Sequence, residues 1–251
     1  MTKFSKIASV VALALGVIST GAHADVFSLT GAATTGTVTN WAEGPAGTLT
    51  VTPGASLSSL LAGNAAAPGG NVELSKFAGP VSTLTGLVNG RSITLSSLTK
   101  SDWFTGSSAG TYTTLTSQYI SAAYEAAFHT AISSADLTAA ITAFYNPNAA
   151  LGGLSPYKFV SDPNVSYVLQ DGYDIKIGLG GLLDATMFLK QLSPLAPAGS
   201  QASEVVKVTY DGVTSYLYSF AATASGVTAG DVNGSYTGNY EVSFKVPEPA
   251  A

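Results

Sequence analysis

Cysteine is absent from the 251-residue chain. Its absence excludes disulfides, a thiolate nucleophile and any cysteine-held metal. Charge is scarce as well: Asp, Glu, Lys and Arg supply 10% of the residues, and 15 acids against 10 bases give a net charge of −5. Such a chain offers phosphates no basic footprint, so nucleic acid is not an expected partner. Histidine occurs only at His23 and His129. A Ser–His–acid triad would have to draw on that pair, and no Gly-x-Ser-x-Gly sequence marks a nucleophile.

One apolar run stands out. Ile7 to Ile18 is interrupted only by Ser9 and Gly16, and its 12 positions fall short of the roughly 20 needed to span hydrocarbon. Lys3 and Lys6 precede it, and a small-residue segment closing on Ala22-His23-Ala24 follows. Charge, apolar core and small-x-small site in that order predict a secretory signal peptide over 1–24, cut after Ala24. Cleavage would leave 251 − 24 = 227 residues and, with Lys3 and Lys6 gone, a net charge of 8 − 15 = −7. That length suits a single exported domain over 25–246, large enough to bury a core without bridges. No other stretch reaches spanning length, so no membrane span is expected in the mature chain as given.

The periodicities predict an α+β fold: an antiparallel sheet with a helical hairpin over about 116–146 packed on one face. Residues 25–90 are rich in Gly, Ala, Ser and Thr and read as mostly β or loop, with strands at Thr48–Thr52 and Arg91–Leu95. Ile120, Tyr124, Phe128 and Ile132 stand four apart as an apolar helical stripe. Ser133 with Asp136 starts a second helix as a capping box, and Asn146-Pro147 stops it. A short helix is expected over Leu182–Leu192. Asp-Gly pairs at 171–172 and 211–212 mark hairpins between alternating runs, and Tyr240, Val242, Phe244 and Val246 form a last strand.

Chemistry is harder to find. His129 and Glu125 share a helix face, which permits an acid–base pair or half a metal site; an exposed i,i+4 pair is the preferred reading. Asp162-Pro163-Asn164, Asp171-Gly172-Tyr173-Asp174 and Asp231-Val232-Asn233 are oxygen-rich turns. Asp162, Asn164, Asp171, Asp174, Asp231 and Asn233 are therefore calcium candidates, although the same residues are ordinary turn formers, which is preferred. No other cofactor and no catalytic residue are expected. Twelve tyrosines with Trp41 and Trp103 offer faces on which sugar rings could stack, and are equally ordinary strand formers.

Val246-Pro247-Glu248-Pro249 resembles the start of the sorting signal of PEP-CTERM bacterial surface proteins, leaving 247–251 as its remnant. The apolar helix and Arg cluster that follow the triplet in that class are missing from this sequence. Gly90–Leu98, Phe159–Val168, Gln201–Val208 and Ser235–Phe244 resemble segments of an uncharacterised cyanobacterial-type family of the class, from about Leu87 to the tail. The resemblance implies processing by an exosortase-type machinery and association with exopolysaccharide or biofilm. It assigns no active site. The expectation is a non-enzymatic protein of the bacterial cell envelope or extracellular matrix; the alternatives are a saccharide-binding module or, less favoured, a secreted hydrolase.

Overall fold

The computed structural model describes residues 26–43, 49–74, 80–180, 182–184, 201–220 and 239–246. The fold is α+β and its main sheets are antiparallel. The larger has seven strands: β1 (Val26–Ser28), β3 (Val38–Glu43), β4 (Leu49–Val51), β5 (Gly70–Leu74), β8 (Asn164–Asp171), β9 (Asp174–Gly180) and β14 (Asn239–Lys245). The smaller has five, β2 (Thr30–Thr35), β6 (Thr83–Val88), β7 (Arg91–Ser96), β12 (Val206–Tyr210) and β13 (Val213–Leu217). Their inner faces share one core. Val72, Leu74, Val165, Ile175, Ile177 and Leu179 of the larger sheet meet Leu84, Ile93, Leu95, Val206 and Val208 of the smaller. The two sheets thus close into a sandwich over this shared core, and β5 is buried at all five of its positions.

β8 organises the larger sheet. One edge pairs with β9, and the other is paired in succession by β5 at Asn164 and Val165, by Ala62 at Tyr167, and by β1 at Leu169 to Asp171. A bulge lies between Val165 and Tyr167. Beyond it, the Tyr167 ring lies over Gly178 on β9, where a Cβ would collide with the ring. The Tyr167 hydroxyl reaches on to Glu241 of β14, 2.7 Å away. Burial, with help from Glu241, raises that phenol, so the hydroxyl donates to the carboxylate.

A second core lies where the chain enters or leaves three strands at one end of the sandwich. Leu98, just past β7, donates its N–H to Ser161 O, just before β8, and Val205, just before β12, donates to Val160 O. Four α-helices occur among the described residues. α1 (Leu57–Leu60) packs on β5, while α2 (Lys100–Trp103), α3 (Thr114–Phe128) and α4 (Ser134–Tyr145) gather around Trp103. The Trp103 indole is fully buried, edge-on to Tyr119 at 5.4 Å and Phe144 at 5.1 Å, and donates to Ser161 Oγ at 2.9 Å. Asp136 N–H donates to Ser133 Oγ, so the second helix starts where its capping box placed it.

Three local expectations are corrected. The buried face of α3 is Leu115, Thr116, Tyr119, Ile120 and Ala123. Tyr124 and Phe128 are half-buried and stack on one another, and Ile132 lies past the helix end. The aromatic core sits against the first half of α3, so the stripe that matters lies a turn earlier. Leu182–Asp184 form strand β10 against β11 (Gln201–Ser203), not the start of a helix; the rest of that segment lies outside the described residues. Finally, Asp171 pairs with Asp174, so the tight turn is Gly172-Tyr173, with Gly172 at φ 61°. The Asp211-Gly212 turn forms as expected, with both residues at positive φ.

Candidate functional site

The site begins with a helix cap. Thr99-x-x-Asp102 is a capping-box sequence, and Asp102 Oδ2 accepts from the Thr99 N–H and hydroxyl, both at 2.8 Å. The other oxygen faces the smaller sheet. Lys207 of β12 and Tyr216 of β13 are cross-strand partners on its outer face, and both donate to Asp102 Oδ1, at 2.9 and 2.7 Å. Burial pushes the Asp102 carboxyl up, but the Thr99 N–H, Lys207, Tyr216 and the Thr99 hydroxyl together bring it below its ordinary value. Asp102 is therefore a fixed anion that holds α2 to the sheet. The Lys207 ammonium is raised by the same bond and lies 5.7 Å over the Tyr216 ring.

A cleft of about 690 Å³ opens beside this junction. Its lining includes Thr113, Leu115 and Gln118 at the start of α3, Ser215 and Tyr216 of β13 with Tyr218, and Ser101 and Asp102. Tyr218 lies just past the end of β13. Tyr216, Tyr218 and Phe220 alternate in sequence as strand residues do. Instead the strand ends at Leu217, and Tyr218 and Phe220 turn to meet Tyr119, at 5.2 and 5.5 Å. Both rings thereby pack, partly buried, against the aromatic core. Gln118 is exposed and its amide bonds no other described residue. The cleft thus offers aromatic rings, hydroxyls and a free amide, a mix suited to a polar ligand with apolar faces.

A group of buried acids lies nearby, behind the junction. Glu204, between β11 and β12, accepts from the Asn164 N–H at 2.9 Å and from its side-chain amide at 3.1 Å. Burial pushes this carboxyl well up and the charge of Asp162 pushes it further; the Asn164 donors oppose them and Glu73 adds to the rise. Glu73 accepts from Trp41 Nε1 at 2.9 Å. On the other side, Tyr240 donates to Glu204 O at 2.9 Å, and Tyr119 donates to Ser203 O. These acids sit where the sandwich and the helical core join.

The calcium candidates are scattered. Asp162 and Asn164 lie at the start of β8, whereas Asp171 and Asp174 lie at its far end, around the β8–β9 turn. Asn164 is bound to Glu204, Asp171 pairs with Lys176 at 2.6 Å, and Asp174 with Lys245 at 3.6 Å. Among the described residues, no three acids or histidines group closely enough to hold a metal ion. Asp231, Asn233, Ala22, Ala24, Pro247, Glu248 and Pro249 lie outside the described residues. Val246 is buried and donates its N–H to Tyr173 O at 2.7 Å, extending the pairing of β14. His129 is the exposed left-handed cap of α3, at φ 56°, and its N–H donates to Glu125 O.

The residues that sequence reasoning missed are Asp102, Lys207, Gln118 and Glu204, and Tyr216 stood only as one of twelve tyrosines. Only the capping box of Asp102 left a local signal; its bonds to Lys207 and Tyr216 join residues 105 and 114 positions apart. Compared with known protein families, curated proteins and solved structures, the chain finds no match.

Proposed function

We propose that this chain is an exported, non-enzymatic protein of the bacterial envelope or extracellular matrix that meets exopolysaccharide through the cleft between α3 and β13. Export rests on the leader over 1–24, and the surface address on the resemblance of Val246–Pro249 to a PEP-CTERM signal. The observation that carries polysaccharide contact is the cleft itself, whose lining brings Tyr216 and Tyr218 together with the exposed Gln118. Tyrosine presents an apolar face and a polar tip, as a pyranose does. Exosortase-type machinery would be the partner that handles the tail.

The test is co-sedimentation of the secreted protein with exopolysaccharide from the producing bacterium, with and without calcium. Saturable retention that Gln118→Ala weakens is the expected result. Retention that needs calcium would assign a role to the oxygen-rich turns. Absence of retention in both conditions would overturn the polysaccharide reading.

A further inference from the structure

We infer that the cleft between α3 and β13 takes an uncharged sugar unit of a neutral glycan, and discriminates against uronic acids and sulfated sugars. This deepens the function proposed above and rests on it. The argument is one of charge. Among the described residues lining the cleft, Asp102 alone carries charge. The nearest cation of the junction is Lys207, and its ammonium is already held by Asp102 at 2.9 Å, with its stem a third exposed. A carboxylate or sulfate entering the cleft would meet a fixed anion whose counter-charge is already engaged. It would lose water without gaining a partner.

The remaining cations among the described residues do not change that balance at the cleft. Arg91 is paired with Asp211 at 2.7 Å, Lys176 with Asp171 and Lys245 with Asp174. Lys100 donates to the Tyr145 hydroxyl at 3.1 Å and lies 4.9 Å over that ring. Lys158, on the 3-10 turn at Pro156–Val160, is not among the lining residues.

A neutral pyranose matches what is left. Its C–H face suits a tyrosine ring, and its hydroxyls both donate and accept; the Ser215 hydroxyl can do both, while Thr113, which donates to Asp102 O at 2.7 Å, and Ser101, whose hydroxyl meets Thr99 Oγ1 at 2.8 Å, keep acceptor capacity. Gln118 adds a donor and an acceptor on one exposed side chain. It shares the cleft lining with Tyr218 and is positioned by the buried neighbours Leu115 and Tyr119 of the same helix.

Discrimination is measured by titrating the full secreted chain with six-unit oligomers of glucose, mannose and galactose, and with oligogalacturonate of the same length. Heat of binding gives affinity, and amide chemical shifts locate the site. At least one neutral oligomer is expected to bind about tenfold or more tighter than oligogalacturonate, with shifts concentrated at 113–118 and 215–218. Gln118→Ala should weaken it about threefold or more while the melting temperature stays unchanged, because that side chain is exposed and bonds no other described residue. Equal or tighter binding of oligogalacturonate at the same residues overturns this inference and leaves polysaccharide binding standing. Binding that maps away from the cleft overturns the assignment of the site. Binding by none of the four probes, together with no retention on the native exopolysaccharide, overturns both readings.

Discussion

Asp102→Asn is the substitution that tests the junction most directly. Asparagine keeps the shape and one acceptor of Asp102, so part of the capping bond to Thr99 survives. The charge does not. Lys207 loses its counter-ion, and the Tyr216 hydroxyl exchanges a carboxylate for a weaker acceptor or a competing donor. Exposed ion pairs contribute about 0–1 kcal/mol, and breaking a fully buried one costs about 3–5 kcal/mol. This pair lies between, with side chains 33% and 8% exposed. Adding a hydrogen bond to a charged group, at about 1.5–3 kcal/mol, and allowing for what asparagine retains, we expect a loss of about 2–3 kcal/mol. For a domain of this size that corresponds to about 5–10 °C in melting temperature.

Urea unfolding at pH 7 measures the loss. A double-mutant cycle with Lys207→Met should return a coupling of about 1 kcal/mol or more. The pH profile adds an independent check. The folded Asp102 carboxyl lies below its ordinary 3.8, so its contribution is present above that value and is lost as pH falls through the lowered one. Wild type and Asp102→Asn should therefore converge in stability on acidification. A loss under about 0.5 kcal/mol, or a coupling of zero, would refute the view that this carboxylate ties α2 to the sheet.

Other substitutions probe the remaining structure. Glu204 titrates in the opposite sense: its folded carboxyl is raised above 4.5, so its contribution is complete below that value and lost as pH rises through the raised one. Wild-type stability should thus fall on going up from about pH 4.5, by at most about 1.4 kcal/mol per pH unit; Glu204→Gln should flatten the slope, and an unchanged slope in urea midpoints would assign it elsewhere. Trp103→Ala, at a fully buried site, should cost about 3–5 kcal/mol in denaturant unfolding, and a cost below about 1 kcal/mol would show that the helical core does not depend on the indole. Gly178→Ala should cost about 1–3 kcal/mol, because its methyl meets the Tyr167 ring. Thermal melts of the double variant Gly178→Ala/Tyr167→Ala should show part of that loss relieved relative to Tyr167→Ala alone.

The sequence by itself determined what is written in neighbouring residues. The Asp211-Gly212 hairpin needs two residues tolerant of positive φ, and Ser133 with Asp136 satisfies a helix start within four positions. The α+β class follows from the switch between period-two and helical spacing. Where a neighbour distant in sequence competes, local pattern misleads. Tyr218 and Phe220 alternate like a strand yet leave it for Tyr119, and the stripe through Tyr124 and Phe128 is half-buried because the aromatic core lies a turn earlier. The tertiary structure alone decided that two sheets close on each other, and that Asp102, Lys207 and Tyr216 meet. It also decided that Glu204 is buried beside other acids. An ion pair across about a hundred residues leaves no spacing to read: each partner is an ordinary polar residue until packing removes the water around it.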